Sequence, residues 1–362
     1  MSISLKSVNG HDRKELEELV AFHNAAYGDS RTIEDWEWEY KGIYPESYVF
    51  VISKDNDLLI GTQGMIPIYI NIQGKRFLSG KEENILISPD YRGTRLFKKL
   101  REMAILSCKE KKIGFVWGFT AHAKLWRRIL NFTVFENCWY SSMSIINLRS
   151  ALLPIRDRKS TIGEKSLSYI FVLSLWVFST ILRLVPKFST KKYIFRQTLG
   201  SIHDLELLYE RLRKKYPEII YIDQDEKYLN WRIYGHPHFQ YRTFFAYDED
   251  NNLRGLCFFN IHENSGYLTD FTFEEIDAGV FLLKKIFSEL QNENIAFLYF
   301  IGNIENSLTK ITFKLLRRFG SIKERSSTAA FVVRPLSCEN EKNTQDIKNW
   351  YLSGLWSEGY KF

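Results

Sequence analysis

Apolar residues recur at helical spacing in the first 45 residues, and strand-like runs follow. Residues 12–27 predict a helix behind Asp12, which is a candidate N-cap, and a second helix is predicted from Thr32. Strands are predicted over residues 48–53 and 58–68, joined by an Asp-Asn-Asp turn. The pattern indicates two helices that precede an antiparallel hairpin.

In the next segment, the spacing of the apolar residues changes from that of a strand to that of a helix within about 20 residues. Residues 81–100 predict a strand, a short basic turn that contains glycine, and an amphipathic helix with Leu96 and Leu100 on its apolar side. Another strand is predicted over residues 113–119 and a helix over 123–130. The helix order and the strand order together indicate a mixed α/β domain in the first 150 residues.

The second half repeats part of this pattern after an apolar segment. Residues 166–182 contain no charged residue and are flanked by Lys and Arg, so three interpretations stay open: a helix lying in a membrane interface, a helix buried between domains, or a membrane span. A second hairpin is predicted over residues 244–260, followed by a strand over 267–271 and a helix over 278–290. The sequence before this last helix is acidic and lacks an Arg-Gly turn.

Composition narrows the function classes only a little. The length of 362 residues predicts two domains, and the net charge of +7 is compatible with any phosphate-bearing or anionic partner. The four cysteines lie far apart and the N-terminus does not resemble a signal peptide, so we expect a cytoplasmic protein with free thiols. His236 and His238 have no third ligand nearby, and we interpret them as packing residues and expect no metal.

The basic turn is the strongest chemical signal in the chain. Backbone N–H groups that open a helix have no intrahelical acceptor, and with the helix dipole they suit a phosphate or pyrophosphate. Gly93 permits close approach of the backbone, and Arg92, Arg95 and Lys98 add positive charge. Residues 85–100 (ILISPDYRGTRLFKKL) resemble the pyrophosphate-binding motif of the GNAT acetyltransferases, and the preceding elements follow the order of that family.

Two segments depart from the GNAT pattern, each at two positions. Arg95 stands where the family has its first motif glycine, and Phe97 takes the place of the second small residue. In the block that resembles the family's next strand and helix, Arg127 stands where a tyrosine usually acts as general acid, and Asn131 replaces a glycine. The resemblance therefore leaves Arg127 or another group to stabilise a departing thiolate.

The resemblance implies a complete set of site residues. A carboxylate, Glu82 or Glu83, would accept the proton of an amine. Strand alternation places Glu83 on the face shared by Ile85 and Ile87, and we select Glu83 because it is nearer the end of the strand that would hold the thioester. The cofactor-binding residues implied for acetyl-CoA are Ile85, Leu86, Ile87, Arg92, Gly93, Thr94, Arg95, Leu96, Phe97 and Lys98.

The predicted fold class is α/β (α+β), with two GNAT-like units, each a mixed and largely antiparallel twisted sheet flanked by helices. The predicted domains are a GNAT domain (1–150), a basic and apolar connecting segment (151–200), a degenerate second GNAT-like domain (201–340) and a C-terminal tail (341–362). The second unit is predicted to be unable to hold coenzyme A in the same way. The pair resembles tandem GNAT proteins associated with bacterial surface-polysaccharide genes.

The function expected from this resemblance is acyl transfer, with acetyl expected, from coenzyme A to a small amine such as an amino sugar of a surface glycan. Expected partners are acyl-CoA, that acceptor and an anionic membrane surface, with no nucleic acid. Two alternatives stay open: an aminoacyl transferase of the peptidoglycan-bridge type, and a non-catalytic binding module.

Overall fold

The computed structural model describes residues 3–157, 161–184, 191–325, 329–337 and 341–356. Its helices and strands follow in this order along the chain: β1 (Ile3–Ser7), α1 (Arg13–Tyr27), α2 (Ile33–Lys41), β2 (Val49–Asp55), β3 (Leu58–Ile72), β4 (Lys75–Ile87), α3 (Leu96–Glu110), β5 (Phe115–Thr120), α4 (Ala123–Ile129), β6 (Thr133–Phe135), β7 (Trp139–Ile145), α5 (Leu148–Asp157), α6 (Ile162–Leu184), β8 (Ile194–Arg196), α7 (Ile202–Lys215), β9 (Ile220–Ile222), α8 (Glu226–Leu229), β10 (Arg242–Tyr247), β11 (Leu253–His262), β12 (Ser265–Phe273), α9 (Ile276–Asn292), β13 (Phe297–Asn303), α10 (Ser307–Arg318), β14 (Ile322–Arg325), β15 (Ala330–Pro335) and α11 (Glu341–Thr344).

The first two helices begin where the sequence predicts, and Asp12 caps the first one as expected. The carboxylate of Asp12 accepts hydrogen bonds from the amides of Lys14 and Glu15. Thr32 and Asp35 form a reciprocal capping box at the start of α2. These caps satisfy amides that would otherwise lack acceptors, and they define the ends of the loop between α1 and α2.

The chain divides into two units, and neither is a continuous stretch of sequence. Unit 1 contains residues 1–136, 220–237 and 329–346, whereas unit 2 contains residues 137–219, 238–328 and 347–362. Segments that the sequence analysis assigns to a domain of residues 201–340 therefore contribute to unit 1. Strand pairing is the physical reason, because β9 pairs with β3, and β15 pairs with β5 and β6.

Unit 1 is built on a mixed sheet with strand order β1-β2-β3-β4-β5-β15-β6 and with β9 beside β3. All of its pairs are antiparallel except β4 with β5. The apolar side of α3 packs on one face of this sheet through Leu96, Leu100 and Ala104. Trp36 and Tyr40 of α2 pack together, with ring centroids 5.0 Å apart, and both contact Phe50.

Trp38 and Trp231, which lie in two similar sequence segments, pack against each other in unit 1. Residues 228–241 resemble residues 34–48, and Trp231 stacks on Trp38 with ring centroids 5.3 Å apart. Each indole N–H donates to the backbone carbonyl of the other tryptophan, at 2.8 and 3.2 Å. This reciprocal contact explains why residues 220–237 belong to unit 1.

Unit 2 is built on a second mixed sheet with strand order β14-β7-β13-β12-β11-β10-β8. Its one parallel pair within the described strands is β12 with β13. Helices α9 and α10 bury their apolar sides on this sheet through Leu282, Ile286 and Phe313. Two mixed sheets flanked by helices confirm the predicted fold class.

The parallel pair of unit 2 diverges, and the chain's own C-terminal segment occupies the opening. The register of β12 with β13 ends at Leu268 and Phe300. Beyond it, the amide of Asn303 donates to the carbonyl of Leu352, and the Asn303 side chain donates to the carbonyl of Trp350. Residues 350–356, which the sequence analysis treats as part of a tail, are buried in unit 2.

The apolar segment of residues 166–182 lies within α6, a helix of 23 residues. Among the described residues it is the one helix whose length and composition would allow it to cross a bilayer, and 6% of that stretch is buried. α6 is part of unit 2, and one of its sides packs on the rest of that unit through Val172, Leu175 and Trp176. A helix fully buried between domains is therefore not what the structure contains.

Candidate functional site

The central opening of unit 1 lies between β4 and β5. These parallel strands pair only at Ser79–Lys81 with Phe115–Trp117. Within the described part of the chain, no other strand takes the β5 side of β4 beyond that point. Residues 84–87 are only half-buried although β4 is a central strand. A strand edge with unpaired backbone groups in the middle of a sheet can accept an extended ligand that carries amides.

A β-bulge at Asn84 changes which way the β4 side chains point. The register with β3 shifts between Thr62 and Gly64, and Asn84 has a positive φ of 50°. An extra residue in one strand interrupts the alternation of faces. The prediction that Glu83 shares a face with Ile85 and Ile87 is therefore wrong.

The contacts on each face establish the actual arrangement. Ile85 and Ile87 pack with the α3 core, and the carboxylate of Glu82 meets Arg101 of α3. Glu83 therefore lies on the opposite face, which α1 and α2 cover, together with Asn84. Glu82, and not Glu83, therefore shares a face with Ile85 and Ile87. The prediction assumed that side chains alternate between the two faces along the whole strand, and this holds only in a strand without a bulge.

A polar cluster surrounds the bulge on the α1/α2 face. Arg31, from the loop between α1 and α2, forms a buried ion pair with Glu39 and donates to Asn84 Oδ1 at 3.4 Å. Arg31 also lies 3.5 Å from Nε2 of His23. Burial, followed by the positive charge of Arg31, lowers the pKa of His23. The cluster holds the bulge residue in place from three separate elements.

Tyr40 of α2 is the fourth member of this cluster. Its ring is fully buried, and its hydroxyl accepts a hydrogen bond of 2.6 Å from the side-chain amide of Asn84. A Cβ on Gly64 would lie 2.4 Å from that hydroxyl, so glycine is required at this position of β3. Burial, reinforced by Glu39 and Glu83, raises the pKa of Tyr40 well above its ordinary value. Tyr40 is therefore a neutral hydrogen-bonding group near neutral pH.

The two candidate carboxylates occupy different environments. Glu82 is buried and forms a two-pronged ion pair with Arg101, which also donates to Gln63 at 3.1 Å. The rings of Trp126 and Phe132 cover the Arg101 guanidinium, at 4.3 and 4.9 Å. Both oxygens of Glu82 are thus engaged in a packed ion pair.

Glu83 is also buried, and it pairs with Lys81 two residues earlier on the same strand. Both side chains lie on the α1/α2 face, where Glu83 is close enough to Tyr40 to affect its pKa. Lys81 is buried as well, and a buried lysine can itself release a proton, whereas a guanidinium such as that of Arg101 stays protonated. Of the two glutamates, the geometry favours Glu83 for acid–base chemistry.

The basic turn joins β4 to α3 beside the opening. Residues Pro89–Tyr91 form a 3-10 turn, and Gly93 has a φ of 76° with open space where a Cβ would lie. Tyr91 donates to Asp55 at 2.7 Å, which raises the pKa of the tyrosine and anchors the turn. Thr94 Oγ1 accepts from the amide of Leu96 at 3.2 Å.

Several donors of this turn remain available. In the described residues, the amides of Gly93, Thr94 and Arg95 have no backbone acceptor, and those of Phe97 and Lys98 open the helix. The turn therefore presents a group of N–H donors at a helix N-terminus, as the sequence predicts.

The charges of the turn are exposed to solvent. Arg92 donates to the carbonyl of Ile87 at 3.3 Å, which directs it back over the end of β4. Lys98 pairs loosely with Glu102 at 3.7 Å. Arg95 is the helix N-cap residue and has no carboxylate partner within the described chain, so its charge is available to a ligand.

Arg127 lies on the surface of α4 and pairs with Glu136 at 2.7 Å. Its neighbour Trp126 is buried beneath Arg101, and this packing fixes α4 in place. The side chain of Arg127 takes no part in that packing. Asn131 has a φ of 54°, the left-handed conformation that the glycine of the resembling block would supply.

Other reactive groups offer little chemistry. Cys108, Cys138 and Cys257 are buried and are not in disulfide bonds, and burial raises the pKa of the Cys108 thiol to about 12. Cys338 lies outside the described residues. His236 packs against the ring of Trp38 at 4.5 Å. No group of three His, Cys, Asp or Glu side chains within the described ranges could hold a metal ion.

Sequence reasoning missed the polar cluster of His23, Arg31, Tyr40 and Asn84. The one local signal was Asn84 itself, because asparagine is disfavoured inside strands and tolerates a positive φ. Arg31 and His23 lie more than 50 residues before Asn84, and no spacing rule connects them.

Comparison with known proteins supports the observed fold and the resemblance of the first part of the chain to GNAT acetyltransferases. Residues 8–129 match the family model described as an acetyltransferase (GNAT) domain. Among curated proteins, none matches this sequence. The matched stretch includes β4, the basic turn, α3 and α4.

Solved structures share the fold over both units. A probable N-acyltransferase of unknown function from Enterococcus faecalis has a TM-score of 0.62 at 10% identity, and the match covers 93% of this chain and 73% of that one. A GCN5-related N-acetyltransferase from Kribbella flavida gives 0.55 at 10% identity, with coverage of 92% and 72%. The Saccharomyces cerevisiae N-myristoyltransferase with bound myristoyl-CoA gives 0.56 at 13% identity, with coverage of 92% and 79%. This chain has the fold of GNAT acyltransferases.

Proposed function

We propose that unit 1 binds an acyl-CoA between β4 and β5 and transfers its acyl group to an amine. The observation that carries the proposal is the divergence of these strands after Lys81 and Trp117, beside the open amides of the α3 turn. The pantetheine arm of coenzyme A has two amides, and these would pair with the free edge of Ile85–Ile87. The thioester carbonyl would accept a hydrogen bond from the backbone near the bulge.

The pyrophosphate of the same ligand would occupy the turn of residues 92–98. Its charge is matched by the free amides, the helix N-terminus and the unpaired Arg95 of the described chain. Arg95 replaces a family glycine, and its exposed position leaves the amides of the turn accessible. The match to the GNAT domain and the myristoyl-CoA bound by the structurally similar yeast enzyme support a cosubstrate of this class.

Acyl transfer needs a proton acceptor, because an amine is mostly protonated near neutral pH. We assign this role to Glu83, directly or through one water molecule. The carboxylate takes one proton from the ammonium group, and the amine nitrogen then forms the bond to the acyl carbon while the carbon–sulfur bond breaks. The second proton of the nitrogen passes to the departing sulfur, which leaves as the thiol. Lys81 would reorient when the carboxylate is protonated, since its ion pair then loses one charge.

The departing thiolate requires a positive group or a proton. We propose Arg127, which would exchange the carboxylate of Glu136 for the sulfur. Its exposure leaves it free to move, whereas Arg101 is fixed by Glu82 and two rings.

We further propose one cosubstrate site per chain. The equivalent divergence in unit 2 contains residues 350–356, so a pantetheine arm would have to displace buried Trp350 and Leu352. The sequence ahead of α9 is acidic and has no counterpart of the Arg-Gly pair that precedes α3.

The acceptor that we propose is an amino sugar of a surface glycan, by resemblance to tandem GNAT proteins, in a cytoplasmic reaction with acetyl as the acyl group. The two alternatives, an aminoacyl transferase and a non-catalytic binding module, predict different ligand behaviour. The first would bind aminoacyl-tRNA, and the second would bind acyl-CoA without turnover.

Isothermal titration calorimetry of the intact protein with acetyl-CoA and with a longer acyl-CoA tests the proposal. We expect saturable binding, and release of free thiol when a panel of amino sugars is added. Failure to bind any acyl-CoA would refute the proposal, and binding without thiol release from any amine would favour the non-catalytic module.

A further inference from the structure

The outer face of α6 is the largest concentration of exposed apolar side chains in the described chain. Of the fifteen large apolar residues that are exposed in the described ranges, seven lie on this helix. They include Leu167, Ile170, Phe171, Val177, Phe178 and Ile181, with exposed fractions from 43% to 70%. Soluble proteins rarely leave so many neighbouring apolar side chains in water without a binding partner.

The helix presents this surface in a fixed orientation. Val172, Leu175, Trp176 and Ser179 recur at helical spacing and form the side that packs on the rest of unit 2. Ser179 donates to the carbonyl of Gly320 at 2.6 Å. At about 100° per residue, the exposed residues centre on the opposite side of the helix.

Two serine hydroxyls of α6 form hydrogen bonds within the helix. The hydroxyls of Ser168 and Ser174 donate to the carbonyls four residues earlier, at 2.9 and 2.7 Å. Such hydroxyls can enter an apolar environment without losing a hydrogen bond. This face is therefore suited to lipid as well as to protein.

The distribution of charge along the chain favours a lipid surface over a second copy of this protein as the partner of α6. Residues 149–192 contain nine Lys or Arg and two Asp or Glu, an excess of seven positive charges. That excess equals the net charge of the entire chain, so the remaining residues sum to zero. A second copy of this chain would bring the same positive segment, whereas an anionic bilayer would be attracted to it.

We propose that α6 docks on the surface of an anionic membrane, lying in the interface with its outer apolar face inserted among the lipids. We place the helix in the interface because Val172, Leu175 and Trp176 pack on the rest of unit 2. A spanning α6 would draw that part of unit 2 into the bilayer core, which does not tolerate exposed loops and open sheet edges. The exposed Arg149, Arg156 and Lys192 would contact the headgroups. Of the three interpretations of residues 166–182, this is the interfacial one.

Vesicle flotation with the intact protein tests the proposal. We expect binding to phosphatidylcholine vesicles that contain about one-quarter phosphatidylglycerol, and binding weaker by about tenfold or more to phosphatidylcholine alone. High salt should weaken the binding only in part, because the apolar insertion is not screened. The triple variant Ile170→Ser, Phe171→Ser, Phe178→Ser should lose about 100-fold or more in partitioning.

A matched control is the triple variant Tyr27→Ser, Leu58→Ser, Ile276→Ser, whose side chains are comparably exposed. It should bind vesicles like the intact protein, and circular dichroism should show that both variants fold. Absence of binding to anionic vesicles, or equal binding by the α6 variant, overturns the proposal. Release by detergent but not by alkaline carbonate indicates a span and overturns it, as does self-association through α6 without vesicle binding.

Discussion

Gly93 offers the sharpest test of the cosubstrate site. A side chain at this position would meet open space, so substitutions there should change the affinity for acetyl-CoA more than they change the stability of the fold. Its φ of 76° lies in the left-handed region, and no atom lies within 4 Å of the position that a Cβ would take. Alanine in that conformation costs roughly 1–2 kcal/mol relative to glycine. If the turn relaxes and binding must restore it, affinity for acetyl-CoA falls by about 5- to 30-fold.

Two further substitutions make the reasoning specific. Gly93→Asn should be close to wild type, because asparagine tolerates a positive φ. Gly93→Glu adds a carboxylate beside the proposed pyrophosphate, and we expect a loss of about 100-fold or more. Calorimetry with acetyl-CoA measures all three variants, and thermal unfolding should show Tm values within a few degrees of wild type.

The order of the three affinities is the critical result. Normal affinity in a folded Gly93→Glu variant would refute the assignment of the turn to the pyrophosphate. Equal losses for alanine and asparagine would show that the side chain, rather than the left-handed backbone, controls binding.

Four other measurements follow from the structure. Glu83→Gln should lower the rate of the chemical step by about 100-fold or more with acetyl-CoA affinity retained, and the deficit should shrink at high pH where free amine is abundant; an unchanged rate would exclude Glu83 as the base. Arg101→Met leaves Glu82 buried and unpaired, so denaturant unfolding should show a loss of about 3–5 kcal/mol, whereas the control Lys98→Met should change stability by less than about 1 kcal/mol. Calorimetry should give one acetyl-CoA per chain, and a stoichiometry of two would contradict the filled opening of unit 2. Because the folded pKa of His23 is lowered from 6.5, its neutral form stabilises the fold above that pH, and stability should fall as the pH drops through the folded pKa; His23→Gln should flatten that part of the profile in pH-dependent thermal unfolding.

Local features of the sequence determined most of the elements of unit 1 and the character of the basic turn. Asp12 caps the first helix and the second helix begins after Thr32, both as predicted. The Asp55–Asp57 turn joins β2 to β3 with Asn56 and Asp57 at positive φ. These features depend on hydrogen bonds and backbone preferences within a few residues, so a single sequence contains the information. The open amides before α3 follow in the same way from a helix that begins after a glycine turn.

Only the tertiary structure decided which faces and which distant segments meet. The bulge at Asn84 is held by Arg31 and Tyr40, and it reverses the facing of Glu82 and Glu83 that regular alternation predicts. β15 joins a sheet whose neighbouring strand β5 lies more than 200 residues earlier, and residues 350–356 occupy the opening of unit 2. Such pairings are selected by the burial of whole surfaces and the satisfaction of strand edges, which no local pattern encodes.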